Sequence, residues 1–157
     1  ATTRERRPGE TNGQDYIFLS PLQFKELLDA GEFLEHAEVY GRHYGVPKGP
    51  IREALAKYRD AIVKVDVQGA ATIRRLEPNA FLIFLIAPST KELERRLIER
   101  KTESVEQLEL RFETAKRELE QRVWFDCTIV NETDALDETV KRIISAIQDR
   151  RSAYRSG

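Results

Sequence analysis

Methionine is absent from the chain, cysteine and tryptophan occur once each, and histidine occurs twice. A lone cysteine, Cys127, excludes an internal disulfide. With only His36 and His43 beside it, no Cys/His spacing suits a zinc site. Neither sign of charge dominates: 26 Lys and Arg face 27 Asp and Glu, for a net charge of −1. That excludes nucleic-acid binding through bulk positive charge, though not a local basic site. No apolar run approaches membrane-spanning length and no signal-peptide pattern is present. Neither nucleic acid nor a membrane is therefore expected as a partner, and the expected setting is cytoplasmic. The missing methionine, with Ala1 in first position, predicts a processed or excised piece.

What is there reads as one globular domain. The 157 residues are 40% hydrophobic and 34% charged, enough to bury a core. "DYIFLS" predicts a short strand, Asp15 to Leu19. In "SPLQFKELLDAG", Ser20 suits an N-cap, Pro21 the first helical position, Gln23 a capping box and Gly31 a stop. In "EFLEHAEVYGRHYG", Phe33, Glu35, Ala37 and Val39 share one side at period two, and "GRHYG" bends the chain. From Gly49 onward helices and strands alternate. The strands are "AIVKVDV", "AFLIFLIA" and "CTIVN"; the helices are about 49–58, from Gly69, Thr90–Arg100, Val105 to about Val123, and about Ala135–Arg150. Leu136, Val140, Ile143, Ile144 and Ile147 form the core stripe of the last helix. Continuous apolar strands between helices predict an α/β fold with a mostly parallel sheet covered on both faces.

Several residues could carry chemistry. Arg4, Arg6 and Arg7 crowd a Pro-Gly turn, and the guanidinium forks of Arg4 and Arg7 could close on one phosphate; the bland reading is an exposed basic loop. Glu35 falls on the apolar side of its strand, where a carboxylate needs a partner. That partner is either structural or a ligand with two adjacent N–H donors, as guanine has. Tyr16 and Tyr44 offer hydroxyls to a phosphate or are ordinary packing residues. Asp66 ends an apolar run where α/β proteins bind ligands, or it caps the helix from Gly69. Arg96 and Arg100 share a helix face, and Arg111 follows after a polar break. They form either a mobile basic lid over transferring phosphates or a salt-bridged surface helix, since Glu92 lies four residues before Arg96. Asn131 could bond a base or make a turn.

Together, "TTRERRPGETNGQDYIFLS", "GEFLEHAEVYGRHYGVP", "VDVQGA", "PSTKELERRLIER" and "IVNET" resemble the guanylate kinase family in order and spacing. The resemblance implies a P-loop-kinase-like fold over 1–157, with a small mixed or antiparallel GMP-binding subdomain at 4–48 and a helical lid at 97–115. It implies transfer of the terminal phosphoryl of ATP to GMP, with magnesium, giving ADP and GDP. It implies that Arg4, Arg7, Tyr16 and Tyr44 hold the GMP phosphate and that Glu35 reads the guanine. Asp66 then stands near the base or the magnesium, Arg96, Arg100 and Arg111 are lid arginines, and Asn131 lies near the adenine of ATP.

Departures from the family pattern are Val46 in place of a Ser or Thr hydroxyl, Lys64 in place of an acid, and Lys101 in place of a lid glycine. The family's phosphate loop, G-x-x-x-x-G-K-[ST], is not found in the 157 residues. A strand–loop–helix unit of about 30 residues is expected ahead of "TTR", and this chain alone is expected to be inactive. The alternative is a guanylate-kinase-like module that binds phosphorylated protein partners without catalysis, a role that makes no use of lid arginines.

Overall fold

A computed structural model of the protein describes residues 1–39, 41–99 and 105–155. The chain divides into two compact units, Ala1–Pro78 and Asn79–Gly157. The α/β class expected from the sequence is observed.

The first unit begins with a buried threonine. Thr2 is fully buried; its N–H donates to Ile17 O (2.9 Å) and its carbonyl accepts from Leu19 N (2.9 Å). Its hydroxyl donates to His43 O (2.9 Å) and accepts from Arg4 N (3.1 Å). The expected strand Asp15–Leu19 is reduced to isolated bridges, Thr2 with Phe18 and Asn12 with Tyr16. The reason is local competition: Asn12 Oδ1 takes the Phe18 N–H (2.9 Å) that a longer ladder would need.

Helix α1 (Pro21–Asp29) starts as its sequence predicts. Gln23 N donates to Ser20 Oγ (3.2 Å), and Ser20 N donates to Gln23 Oε1 (2.9 Å), a complete capping box. Its one fully buried side chain, Phe24, stacks on Phe33 with centroids 4.5 Å apart. Strands β1 (Phe33–Val39) and β2 (Arg42–Pro47) form an antiparallel hairpin in which Glu35 faces Val46 and Ala37 faces Tyr44. The period-two reading holds: Phe33 and Glu35 are buried, while His36 and Glu38 are exposed. Helix α2 (Lys48–Ala56) follows, and α3 (Val67–Leu76) packs on β1 with its Gly69, Ala70 and Ile73 buried.

The apolar run Ala61–Val65 joins neither ladder, although its pattern predicts a strand. A strand exists only where its backbone groups pair with a neighbour. None of the described residues pairs with this run, and Ile62 is 84% exposed.

In the second unit, β3 (Ile83–Ile86) and β4 (Cys127–Val130) pair in parallel, the one parallel ladder among the described residues. Leu82, Phe84 and Ile129 are its buried apolar residues. Phe125 meets Phe84 edge-on at 4.8 Å, and Leu82 N donates to the Asp126 carboxylate (2.8 Å). Ser89 caps α4 (Thr90–Ile98), which packs beside α5 (Val105–Glu120). A short 3₁₀ turn, Gln121–Trp124, leads into β4. Helix α6 (Leu136–Arg155) packs on β4 and outlasts its expected end. Its apolar stripe is only half used: Ile143 and Ile147 are partly covered, while Leu136, Val140 and Ile144 are exposed. A two-stranded ladder offers too narrow a surface to cover a stripe that wide.

Phe24 lies at the centre of the first unit's packing. Truncating it (Phe24→Ala) is expected to cost about 3–5 kcal/mol in urea unfolding. Leu22→Ala on the same helix, at a site 66% exposed, is expected to stay within about 0.5 kcal/mol. Equal effects would show that Phe24 is not a core residue.

Candidate active site

The opening basic cluster is organised by a turn. Glu10 N donates to Arg7 O (3.1 Å) across Pro8-Gly9, and Gly9 has φ +87°, which a type II turn requires at its third residue. The turn delivers the Glu10 carboxylate to Arg4. Arg4 Nη2 donates to Glu10 Oε1 (2.7 Å) and Nη1 to Oε2 (3.0 Å), a bidentate fork in which both side chains are largely covered. Glu10 Oε2 also accepts from Arg7 N (2.7 Å). The Arg4 bond, then the Arg7 amide, hold the Glu10 carboxyl down at about 2. The Arg7 side chain is exposed.

Two tyrosines complete the cluster. Tyr16 and Tyr44 meet edge-on at 6.3 Å. The Arg4 guanidinium lies 5.4 Å from the Tyr16 centroid, and the Arg4 side chain also bonds Tyr44. Lys64 Nζ lies 5.1 Å from the same Tyr16 centroid. The structure thus brings Arg4, Tyr16 and Tyr44 together as expected and adds Lys64 to them.

Glu35 is the unusual group of this unit. It is 8% exposed, and none of the described residues donates a hydrogen bond to its carboxylate. Burial pushes its carboxyl above the usual range and the Asp66 charge pushes the same way; the Ala1 ammonium partly offsets them. Helix α3 makes room for it. A Cβ at Gly69 would lie 2.9 Å from Glu35 Cδ and 2.9 Å from Val65 Cβ, so only glycine fits under the carboxylate. Val46, opposite Glu35 in the hairpin, presents an apolar side chain to the same face. Asp66 is the N-cap of α3, its Oδ1 accepting from Gly69 N (2.8 Å). The capping alternative for Asp66 is thus observed, with Asp66 also within electrostatic reach of Glu35.

The remaining expected residues belong to the second unit. Arg96 is engaged on α4: its Nε donates to Glu92 Oε1 (2.7 Å) and its Nη2 to Asn131 O (3.0 Å). Asn131 follows β4 and its Oδ1 accepts from the buried Thr139 hydroxyl (3.2 Å). Arg96 and Asn131 therefore meet, through the asparagine's backbone. Glu92 is held well below the usual carboxylate range by Arg95, Thr133 and Arg96. Arg111 is half-buried on α5. Arg100, Lys101 and part of the expected lid at 97–115 lie outside the described residues.

Sequence reasoning passed over Glu10, Thr2 and Gly69. Glu10 was signalled by its place just after Pro-Gly, six residues from Arg4. Thr2 and Gly69 act through packing, which has no one-dimensional signature. Among the described residues no group of three or more His, Cys, Asp or Glu side chains is arranged to hold a metal ion. No helix among them is long and apolar enough to cross a membrane.

Known proteins match this chain along almost its whole length. A family model described as guanylate kinase matches residues 1–150. The guanylate kinase of Deinococcus radiodurans is 41% identical over 156 residues, covering 99% of this chain and 64% of that protein. Guanylate kinase 2, chloroplastic/mitochondrial, of Oryza sativa subsp. japonica is 43% identical over 148 residues, covering 94% and 52%. The chain thus spans between half and two thirds of the length of these two relatives. The crystal structure of guanylate kinase from Anaplasma phagocytophilum superposes with a TM-score of 0.78 at 32% identity, covering 94% of this chain and 71% of that one. With the buried acid of β1, the capped "VDVQGA" helix and the Arg4–Tyr16–Tyr44 cluster in place, the chain belongs to the guanylate kinase family.

Proposed function

We propose that this chain supplies the acceptor site and the lid of an ATP:GMP phosphotransferase. The observation that carries the reading is Glu35, a buried carboxylate with no donor from the described residues. Such a group is costly until a ligand completes it. Guanine does so with N1–H and its exocyclic amine, whereas adenine presents an acceptor at N1. The wrong base leaves the acid unpaired, so selectivity follows from desolvation.

Around that anchor the roles divide by chemistry. Arg7, Arg4 and the hydroxyls of Tyr16 and Tyr44 hold the GMP phosphate. Asp66 fixes the first turn of α3 beneath Glu35. Arg96, Arg100 and Arg111 spread positive charge over the transferred phosphoryl, and Asn131 borders the ATP base. Phosphoryl transfer needs positioning and charge neutralisation more than covalent help. Magnesium enters with the ATP phosphates, whose oxygens supply most of its ligands; no protein cage for it exists among the described residues. Arg96 must give up Asn131 O or Glu92 to reach a phosphate. The kinase reading is preferred to a protein-binding module because a module has no use for these arginines.

Coupled-assay turnover of GMP by the full-length protein tests the reading, and absence of turnover at millimolar nucleotide would refute it. Glu35→Gln is expected to weaken GMP binding about 10–100-fold by calorimetry. Gly69→Ala, which displaces the carboxylate, should reduce guanine selectivity in the same direction. Unchanged selectivity in both would remove Glu35 from its role. Arg100→Ala should lower kcat about 100-fold or more while GMP affinity stays nearly constant; the opposite pattern would remove it from the lid.

Protonation of Glu35 gives a second test. Its folded pKa is raised, so the folded state holds a proton that the unfolded chain has already released. Stability of the free protein should fall as pH rises from about 4.5 through the raised value, and Glu35→Gln should abolish that fall. GMP affinity should move oppositely, weakening as pH drops through the same value, because only the ionised acid accepts both guanine donors.

A further inference from the structure

We propose that Lys64 is a binding residue for the acceptor phosphate, deepening and resting on the function just proposed. Charge accounting in the first unit leads to it. Arg4 lies beside the tyrosine pair, but Glu10 accepts from both of its terminal nitrogens. That pair is locally neutral before any ligand arrives. A nucleoside monophosphate at neutral pH brings between one and two negative charges, and it must find positive charge that is not already spent.

Lys64 supplies it. Its Nζ sits 5.1 Å from the Tyr16 centroid, and Arg4 approaches the same ring at 5.4 Å. Two cations share one aromatic ring, and Tyr16 in turn meets Tyr44 at 6.3 Å. Unlike Arg4, Lys64 has no carboxylate partner among the described residues, and it is exposed. A lysine ammonium placed on an aromatic surface with no acid beside it is held in position without being neutralised. It lies two residues before Asp66, on the segment leading into the helix that carries Gly69. Lys64 and Arg7 together then match the charge of the phosphate dianion, while Arg4, already paired with Glu10, contributes direction rather than net charge.

Lysine ammonium is a compact point charge, so its contribution depends on charge more than on fork geometry. The test is titration calorimetry of the full-length protein with GMP and, in parallel, with guanosine, which lacks the phosphate. Lys64→Gln is expected to weaken GMP about tenfold and to leave guanosine unchanged. Lys64→Glu should weaken GMP further, and Lys64→Arg should restore most of the affinity. The wild-type preference for GMP should decline with added salt more steeply than that of Lys64→Gln. A phosphate-independent loss, equal for GMP and guanosine, would overturn the proposal and make Lys64 a structural residue; so would unchanged GMP affinity in Lys64→Gln. Wild-type protein that does not distinguish GMP from guanosine would overturn both this inference and the acceptor-site reading. Wild-type discrimination that survives in Lys64→Glu would overturn this inference alone. Lys64 is exposed, so these variants are expected to unfold at the wild-type urea midpoint.

Discussion

The first unit is arranged around the desolvation of one carboxylate. Strand periodicity puts Glu35 on the covered side of β1, next to Phe33 and opposite Val46. Helix α3 closes over it with a glycine, because any side chain at position 69 would collide with the acid. The Asp66 cap then fixes where that helix begins. Burial raises the energy of the ionised acid; the Ala1 ammonium offsets this only in part, and none of the described residues donates a hydrogen bond to it. A ligand with matched N–H donors would recover the stability lost in the free protein, which is the physical basis of the role proposed for Glu35.

Elsewhere charge is handled by pairing. Glu10 ties the Arg4 side chain to the Arg7 backbone and thereby shapes the opening loop. In the second unit, Glu92 gathers Arg95 and Arg96, while Arg96 reaches the carbonyl of Asn131. These forks hold loops in place at little net charge. This explains how a chain with a net charge of −1 can present strongly directional cation sites. Bulk charge reports on long-range steering, whereas anion recognition is settled within a few ångströms.

The same pairing distinguishes cations engaged by internal acids from cations that are not. Arg4 and Arg96 are committed to internal acids, while the Lys64 ammonium and the exposed Arg7 are not. Sequence position treats all four as equivalent basic residues. Which of them is paired depends on which carboxylate the fold brings within reach.

Local patterns determined a good deal unaided. The capping box at Ser20, the stop at Gly31, the chain reversal at Gly41 (though the rest of "GRHYG" is strand β2 rather than bend), the burial of Glu35 and the α/β class all follow from interactions within a few residues or from simple periodicity. The order of the motifs was enough to mark the family. Tertiary structure alone decided the rest. "DYIFLS" became bridges because Asn12 captured a backbone donor, and "AIVKVDV" formed no ladder because a strand needs a neighbour that its own residues cannot specify. Asp66 became a cap with Glu35 close by, and Glu10 came to pair with the fork of Arg4. Propensity and period act along the chain, whereas pairing, desolvation and steric fit act between segments distant in sequence, so only the folded arrangement can set them.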